Sequence, residues 1–322
     1  MSSVNDNLFV TIGAQAVYYG TPLVYAAVGE VFAERSGVLN LGVEGMMLMG
    51  AVVGAWASAH VGGSDIFVLT VAVLMGAGAA ALCALIHAFL VITLRVNQIV
   101  SGLALSIFAG AAGLSSYLAN SWHLAVKPAP HQFDQIDVFG WAKAPVVGPL
   151  LFHHSALVYA SWVMVAVSSW YLFRTRRGLH LRAVGEAPDA ADAMGISVTG
   201  YRYAHTVLGG ALAGIGGVCF SLAIVPTWVD GLTQGRGWIA VALVIFGFWR
   251  PSLTLVGAYL FGAFASLSLV LQARGVHISP DLLDALPYVM TIVVLVLVSS
   301  GRAGRRVGAP AALGKPYVRE ER

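Results

Sequence analysis

The stretch RTRRGLHLRAVGEAPDAADAMGISVTGYRY, residues 174–203, decides how this chain is read. It is polar and rich in arginine, and it interrupts an almost unbroken series of apolar runs of membrane length. Within it, Ala187, Ala190, Ala191 and Met194 fall at i, i+3, i+4 and i+7 and make one apolar stripe, while Glu186, Asp189 and Asp192 project elsewhere. That spacing predicts a short amphipathic helix, with Pro188 suited to its first turn and Gly195 to its C-terminal stop. The helix has a face to bury and no evident surface within its own loop, which points to a partner. A helix lying on lipid is the alternative, but such helices carry lysine or arginine on the polar face and this one carries acids.

Outward from that loop, apolar runs occupy residues 8–32, 42–61, 66–94, 99–119, 155–173, 206–225, 237–249, 253–271 and 286–300. The expected fold is all-α, a polytopic membrane protein of about nine transmembrane helices with one helical loop, since each span takes about 20 residues. Run 237–249 is short for a hydrocarbon core of about 30 Å and reads as a tilted or half-membrane helix. Hydrophobic residues make up 58% of the 322 and charged residues 10%, against about 25% charged in soluble proteins. The spans leave no room for a soluble enzyme domain, so the chain reads as a single transmembrane domain, 1–322. Its loop at about 174–203 and tail at 301–322 face one side, and a loop at about 120–154 faces the other.

Orientation follows from arginine. Placing Arg174, Arg176, Arg177 and Arg182 in the cytoplasm also places Arg302, Arg305 and Arg306 there, because an even number of runs separates the clusters. The same counting puts Arg95 inside and loop 120–154 outside. That outer loop carries Trp122, Trp141, four prolines and two lysines, a composition suited to an ordered cap, a docking surface or a connector with interfacial aromatics. Residues 1–7 lack the basic start and small-residue cleavage site of a signal peptide, so the first run is expected to remain as a span. The net charge of +3 comes from arginines near span ends and gives no argument for nucleic-acid binding.

Several long motifs carry a resemblance. Residues 189–195 (DAADAMG) are similar to the Glu-Ala-Ala-x-x-x-Gly signature of ABC importer permeases, with aspartate leading. Residues 34–47 (ERSGVLNLGVEGMM), 97–105 (NQIVSGLAL), 235–242 (GRGWIAVA) and 246–251 (FGFWRP) resemble the permease family that serves branched-chain amino acids, ribose-type sugars and nucleosides, most of all its nucleoside or simple-sugar branch. The resemblance implies a cytoplasmic-membrane permease subunit that moves nucleosides inward, paired with a second related permease, most simply as a heterodimer. It also implies cytoplasmic ATPase subunits and an extracytoplasmic binding protein or lipoprotein. No Gly-x-x-x-x-Gly-Lys-Ser/Thr sequence occurs, so ATP and magnesium would be bound by the partner ATPase and no cofactor by this chain. Glu186, Asp189, Ala190, Ala191, Met194 and Gly195 would then couple to the ATPase. Ala191→Asp is expected to abolish uptake and docking while leaving membrane insertion intact.

Polar residues at membrane depth need an account of their own, because a charge inside a span costs about 2.5–3.5 kcal/mol on insertion scales. Glu30 and Glu44 bracket Arg35 and Asn40. They either line a polar path or pair with Arg35 near the inner interface. Asn40, Glu44, Asn97, Gln98 and Ser101 have donors and acceptors suited to sugar hydroxyls. Trp238, with Phe246, Phe248 and Trp249, has the faces to stack a base, although aromatics near span ends usually anchor at the interface. Arg236 is placed to pair with Asp230 or with a docking carboxylate. Gly50 and Gly54, Gly210 and Gly214, and Ala213 and Gly217 form small-x-x-x-small pairs that let spans approach closely. Cys83, Cys219 and the nine histidines are too dispersed for a disulfide framework, metal site or catalytic triad. Import of a ribose-like sugar is the alternative within the class. A gradient-driven secondary transporter is the alternative outside it, and such proteins often carry intramembrane acids in both halves, whereas Glu30 and Glu44 lie in one.

Overall fold

The computed structural model describes residues 8–124, 128–138, 140–273 and 308–318, with isolated positions between 285 and 296. The described chain is helical apart from one antiparallel ribbon. Helices α1 (Leu8–Arg35), α2 (Val43–His60), α3 (Asp65–Ala88), α4 (Gln98–Ala109) and α5 (Leu114–Ser121) precede strands β1 (Gln135–Asp137) and β2 (His153–Ser155). Then follow α6 (Ala156–Arg174), α7 (Arg176–Glu186), α8 (Pro188–Ala193), α9 (Val198–Cys219), α10 (Arg236–Phe246) and α11 (Pro251–Ala273). Wide π turns extend α3 over Phe89–Thr93 and α9 over Phe220–Ile224.

Helix α9 is the packing axis, and its glycines are the reason. A Cβ on Gly209 would stand 2.6 Å from the Gly29 carbonyl of α1, one on Gly214 2.6 Å from Ala80 of α3, and one on Gly217 1.9 Å from the Met47 carbonyl of α2. Pairs 46/210, 50/214 and 54/218 run in the same order, so α2 and α9 are parallel, while α1 and α3 cross α9 antiparallel. Gly50, Gly54, Gly210 and Gly214 therefore meet a neighbouring helix, as expected of small residues at helix interfaces. Helix α11 lies antiparallel on α1, with Ser266 donating to the Ile12 carbonyl.

Four described helical stretches are long and apolar enough to cross a membrane: Asp65–Thr93, Gln98–Ser121, Ala156–Arg174 and Val198–Ile224. Helices α1 and α2 are not among them, although every residue of α1 from Gly20 to Glu34 is buried. They are enclosed by other helices rather than by lipid, so they tolerate polar side chains that a lipid-facing span would not. Two expected runs differ in detail, and a third is not described. Run 99–119 is two helices, because the chain turns at Gly110–Gly113, where a Cβ on either glycine would collide with backbone oxygens at 2.1 Å. Run 206–225 begins earlier, at Val198. The expected span at 286–300 falls almost entirely outside the described residues.

The described elements sort to two ends of the bundle. Arg35, α7, α8, the start of α9 and residues 308–318 lie at one end, joined by Gly314 N–H to Gly37 O (3.2 Å) and Ala312 N–H to Gly185 O (3.0 Å). Arg95 lies there too, since neighbouring Thr93 hydrogen-bonds Tyr203 of α9. The outer loop caps the other end. Ala129 and Phe133 donate to the carbonyls of Pro226 and Leu222, and Ser58 at the end of α2 donates to the His131 carbonyl.

Candidate functional site

Between α1 and α2 the chain does not leave the bundle. Gly37, at φ +90°, ends α1 with Val38 N–H returning to the Ala33 carbonyl, a left-handed helix stop that glycine adopts without strain. Residues 38–42 then climb back along the last turns of α1. Asn40 is fully buried and donates from Nδ2 to Glu30 Oε1 (2.7 Å), while its Oδ1 accepts from Gly42 N–H (3.0 Å). Leu39 N–H donates to Gln98 Oε1 (2.7 Å). The Leu39 carbonyl lies 3.1 Å from His87 Nε2, and His87 Nδ1 lies 2.9 Å from the Ser101 hydroxyl. A carbonyl only accepts, so Nε2 carries the ring proton and Ser101 donates to Nδ1. Ser106 holds the Leu41 carbonyl (2.7 Å).

Helix α10 is the second unusual element. At 11 residues it is about 16 Å long, half of a hydrocarbon core, which matches the half-membrane reading of this run. Glu44 closes its N-terminus. Oε1 accepts from Thr233 Oγ1 (2.5 Å) and Gly235 N–H (2.9 Å), and Oε2 from Gly237 N–H (2.6 Å). A carboxylate here satisfies the orphan donors of the first turn and complements the positive end of the helix dipole. The other end of α10 is held from α1. Phe248 and Trp249 sit at φ +50° and +53°, an outlier conformation for bulky residues. Arg35 donates to both their carbonyls (3.4 and 3.2 Å), and the Trp249 indole donates to Glu34 Oε2 (2.5 Å).

The geometry gives each of the expected residues its partners. Asn40, Gln98 and Ser101 come together around the turn, and Glu44 sits at the start of α10. Asn40, Ser101 and Glu44 hold backbone or a neighbouring side chain, while Gln98 holds Leu39 N–H through Oε1 and keeps its Nε2 buried without a hydrogen-bond partner. Asn97 is exposed and caps α4, accepting from Ile99 and Val100 N–H. The expected pairing of Glu30 or Glu44 with Arg35 is replaced by Arg35 bonds to two carbonyls. Arg236 lies over the Phe220 ring at 5.0 Å, and Asp230 accepts from Ser116 and the Trp228 indole. Trp249 is 5% exposed, enclosed as an anchor, whereas Trp238 is 38% exposed on the first turn of α10. His87, Thr233 and Glu34 were not singled out from sequence. Glu34 opens the quoted motif 34–47 and Thr233 lies two residues before the motif at 235, while nothing in the sequence pointed to His87.

At the arginine end, α7 and α8 form one compact unit. Helix α8 starts at Pro188, and Gly195 at φ +80° stops it, with Ile196 N–H returning to the Ala191 carbonyl. The apolar stripe is divided rather than continuous. Ala191 is 3% exposed and packs inward with Val184 and Val198, while Met194 is 82% exposed and Ala187, Ala190, Glu186 and Asp189 also face outward. Beneath this unit a Cβ on Gly185 would stand 2.2 Å from the Arg35 carbonyl, so α7 rests directly on the end of α1. At the opposite end a cavity of about 750 Å³, lined among others by Gln15, Tyr18, Tyr19, Lys143, His153 and His154, opens between α1 and the β1–β2 ribbon. Small-molecule sites span about 300–1,000 Å³. Among the described residues no three His, Cys, Asp or Glu side chains are grouped to hold a metal.

One family model matches residues 13–295 and is described as a branched-chain amino acid transport system / permease component. The chain belongs to this permease family. Across its length it is 37% identical to the putative glucose ABC transporter permease protein TsgC13 of Haloferax volcanii, covering 94% of this chain and 96% of the relative. It is 36% identical to the nucleoside ABC transporter permease protein NupC of Lactococcus lactis subsp. cremoris (98% and 99% covered) and to the guanosine ABC transporter permease protein NupQ of Bacillus subtilis (94% and 95%). No solved structure matches. The permease is therefore a multi-pass membrane protein, and its motifs at residues 34–47, 97–105 and 235–251 are the stretches that build the re-entrant turn and both ends of α10.

Proposed function

We propose that this permease is the membrane subunit of an ATP-driven importer for nucleosides, with its arginine end in the cytoplasm. The single observation that carries the coupling role is the outward face of α8, where Met194 is 82% exposed on a helix seated from behind by Ala191. A cytoplasmic ATPase subunit that grips this face can push α8 without unfolding it. The push reaches α1 where Gly185 meets the Arg35 carbonyl, and Arg35 relays it to the turn after α10. Helix α10 is held at its other end by Glu44 of α2, so movement between α1 and α2 must tilt or slide it. Trp238 rides on its first turn and is the candidate base-stacking residue, with Asn40, Gln98 and Ser101 fixing the turn beside the path rather than binding solute directly. A second, related permease supplies the other half of the path, and an extracytoplasmic binding protein delivers the solute.

Solute choice rests on the relatives named for nucleosides and guanosine, whereas the equally similar relative named for glucose supports a sugar as the second reading. Uptake of labelled guanosine and uridine by cells with and without this chain, co-expressed with partner subunits, separates the two. Chain-dependent uptake blocked by unlabelled nucleoside but not by ribose, glucose or leucine is expected. Chain-dependent uptake of glucose or ribose alone moves the permease to sugars.

Coupling has its own test, and the buried state of Ala191 changes its design. Ala191→Asp would force a carboxylate between Val184 and Val198, at a cost of several kcal/mol, and so would damage the loop itself. Met194→Asp touches only the exposed face. We expect normal chain abundance, loss of ATPase co-purification and at least about a tenfold fall in uptake, which corresponds to about 1.4 kcal/mol of lost docking. Wild-type uptake by Met194→Asp would remove α8 from the ATPase interface.

A further inference from the structure

Residues 308–318 lie against the bundle and bond to three elements at its arginine end, α7, the turn beyond α1, and α9. Ala312 donates to the Gly185 carbonyl of α7 (3.0 Å), Gly314 to the Gly37 carbonyl beyond α1 (3.2 Å), and Arg202 of α9 donates from Nη1 to the Lys315 carbonyl (3.1 Å). Leu313 packs against the main core, and Tyr317 against the Val184, Ala191 and Val198 cluster that seats α8. The approach at Gly37 is tight. A Cβ on Gly37 would stand 3.0 Å from Arg202 Nη2 and 3.3 Å from the Ala312 carbonyl.

Arg202 is the informative residue. It is 1% exposed, and a buried guanidinium is an expensive way to hold a peptide segment that apolar packing alone would hold. Its Nη1 donates to the Lys315 carbonyl, so one side chain joins α9 and the tail. Covalently, the α7–α8 unit hangs between Thr175 and residues 194–197, two short connections that would let it pivot. The tail closes the third side.

We infer that residues 308–318 are a working part of the coupling apparatus: they clasp the α7–α8 unit to the Arg35 end of α1 and the first turns of α9, with Arg202 as the positioning residue. A displacement of α8 is then passed to α1 and α9 together instead of being absorbed by the loop. The inference rests on the ATP-driven reading above for its consequence, but the clasp itself is testable without transport.

Two measurements on the full-length chain separate these. In proteoliposomes containing the partner subunits, Arg202→Met and Leu313→Asp should assemble and hydrolyse ATP within about twofold of wild type while solute uptake falls roughly five- to tenfold, the scale of an ordinary coupling energy. Arg202→Lys should recover uptake, because an ammonium still donates to the Lys315 carbonyl. A merely structural tail would lower assembly, hydrolysis and uptake together, leaving ATP consumed per solute unchanged, and that result overturns the inference. Amide hydrogen exchange on the purified chain reads the clasp directly. Arg202→Met should speed exchange across residues 176–193 and Arg202→Lys restore it, and unchanged exchange overturns the clasp whatever the transport assay gives. A wild-type complex that moves no solute with ATP would sink the transport reading, with exchange still deciding the clasp.

Discussion

Glu44→Ala should abolish transport, and Glu44→Gln should come close to it. The carboxylate gathers three donors, two of them backbone N–H groups at the start of α10. In a bilayer no water replaces a lost acceptor, so each abandoned N–H costs about 1–3 kcal/mol. Glutamine keeps one oxygen but turns an NH2 group toward either Gly235 or Gly237, donor against donor. Thr233→Val removes only the side-chain donor, leaves both backbone bonds, and should lower uptake severalfold at most. A Gly237→Ala change attacks the same contact from the other side, since its Cβ would fall 2.5 Å from Glu44 Cα. The measurement is nucleoside uptake normalised to chain abundance in the membrane. Wild-type uptake by Glu44→Gln would mean that the carboxylate is not what holds α10 to α2, and the relay from α2 to α10 would fall with it.

How much of this was legible in the sequence varies with the physics involved. Apolar runs report burial in lipid or protein alike, so α1, α2, α3, α6 and α11 could be read from hydropathy within a few residues, and the short run before Trp249 already read as a tilted or half-membrane helix. The stop of α8 at Gly195 was legible because a left-handed turn has a residue signature. The break at Gly110–Gly113 was missed, since Gly-Ala-Ala-Gly is equally at home inside a membrane helix and only the packing of α4 against residues 41 and 42 makes it turn. Helix α7 was hidden for a different reason. RRGLHLRAVGE is too polar for a span and owes its seat to Gly185 on the Arg35 carbonyl, a contact 150 residues apart. The polar motif residues were recognised as a group, but composition cannot distinguish an asparagine that meets solute from one that meets Glu30. That distinction lies in partners, and His87, Thr233 and Trp249 are partners from distant segments.

Gly217→Val should prevent the chain from accumulating in the membrane, the largest effect of any single glycine change. Its Cβ would lie 1.9 Å from the Met47 carbonyl and 2.9 Å from the Ala51 nitrogen. Both are backbone atoms of α2, so no rotamer change relieves the clash and the two parallel helices must separate. Overpacking a core where side chains can yield costs about 1–3 kcal/mol, and a rigid backbone contact lies above that range. Separation would also pull α9 from α1 and α3, which meet it through Gly209 and Gly214. Two neighbours calibrate the result. Gly54 faces the Val218 side chain, with its Cβ 2.9 Å from a methyl group that can turn aside, so Gly54→Ala should be mild. Gly78 on the exposed face of α3 has nothing within 4 Å, and Gly78→Ala should stabilise its helix by about 0.5–1 kcal/mol. Membrane abundance and detergent melting temperature of the three variants decide the matter. If Gly217→Val accumulates and melts like wild type, α2 and α9 do not touch as described. In that event Gly50, whose Cβ would stand 2.3 Å from the Gly214 carbonyl, would also be free to change. The expected order is Gly217 far below Gly54, and Gly78 at or above wild type, because the tolerance of each position depends on whether backbone, side chain or open space lies opposite it.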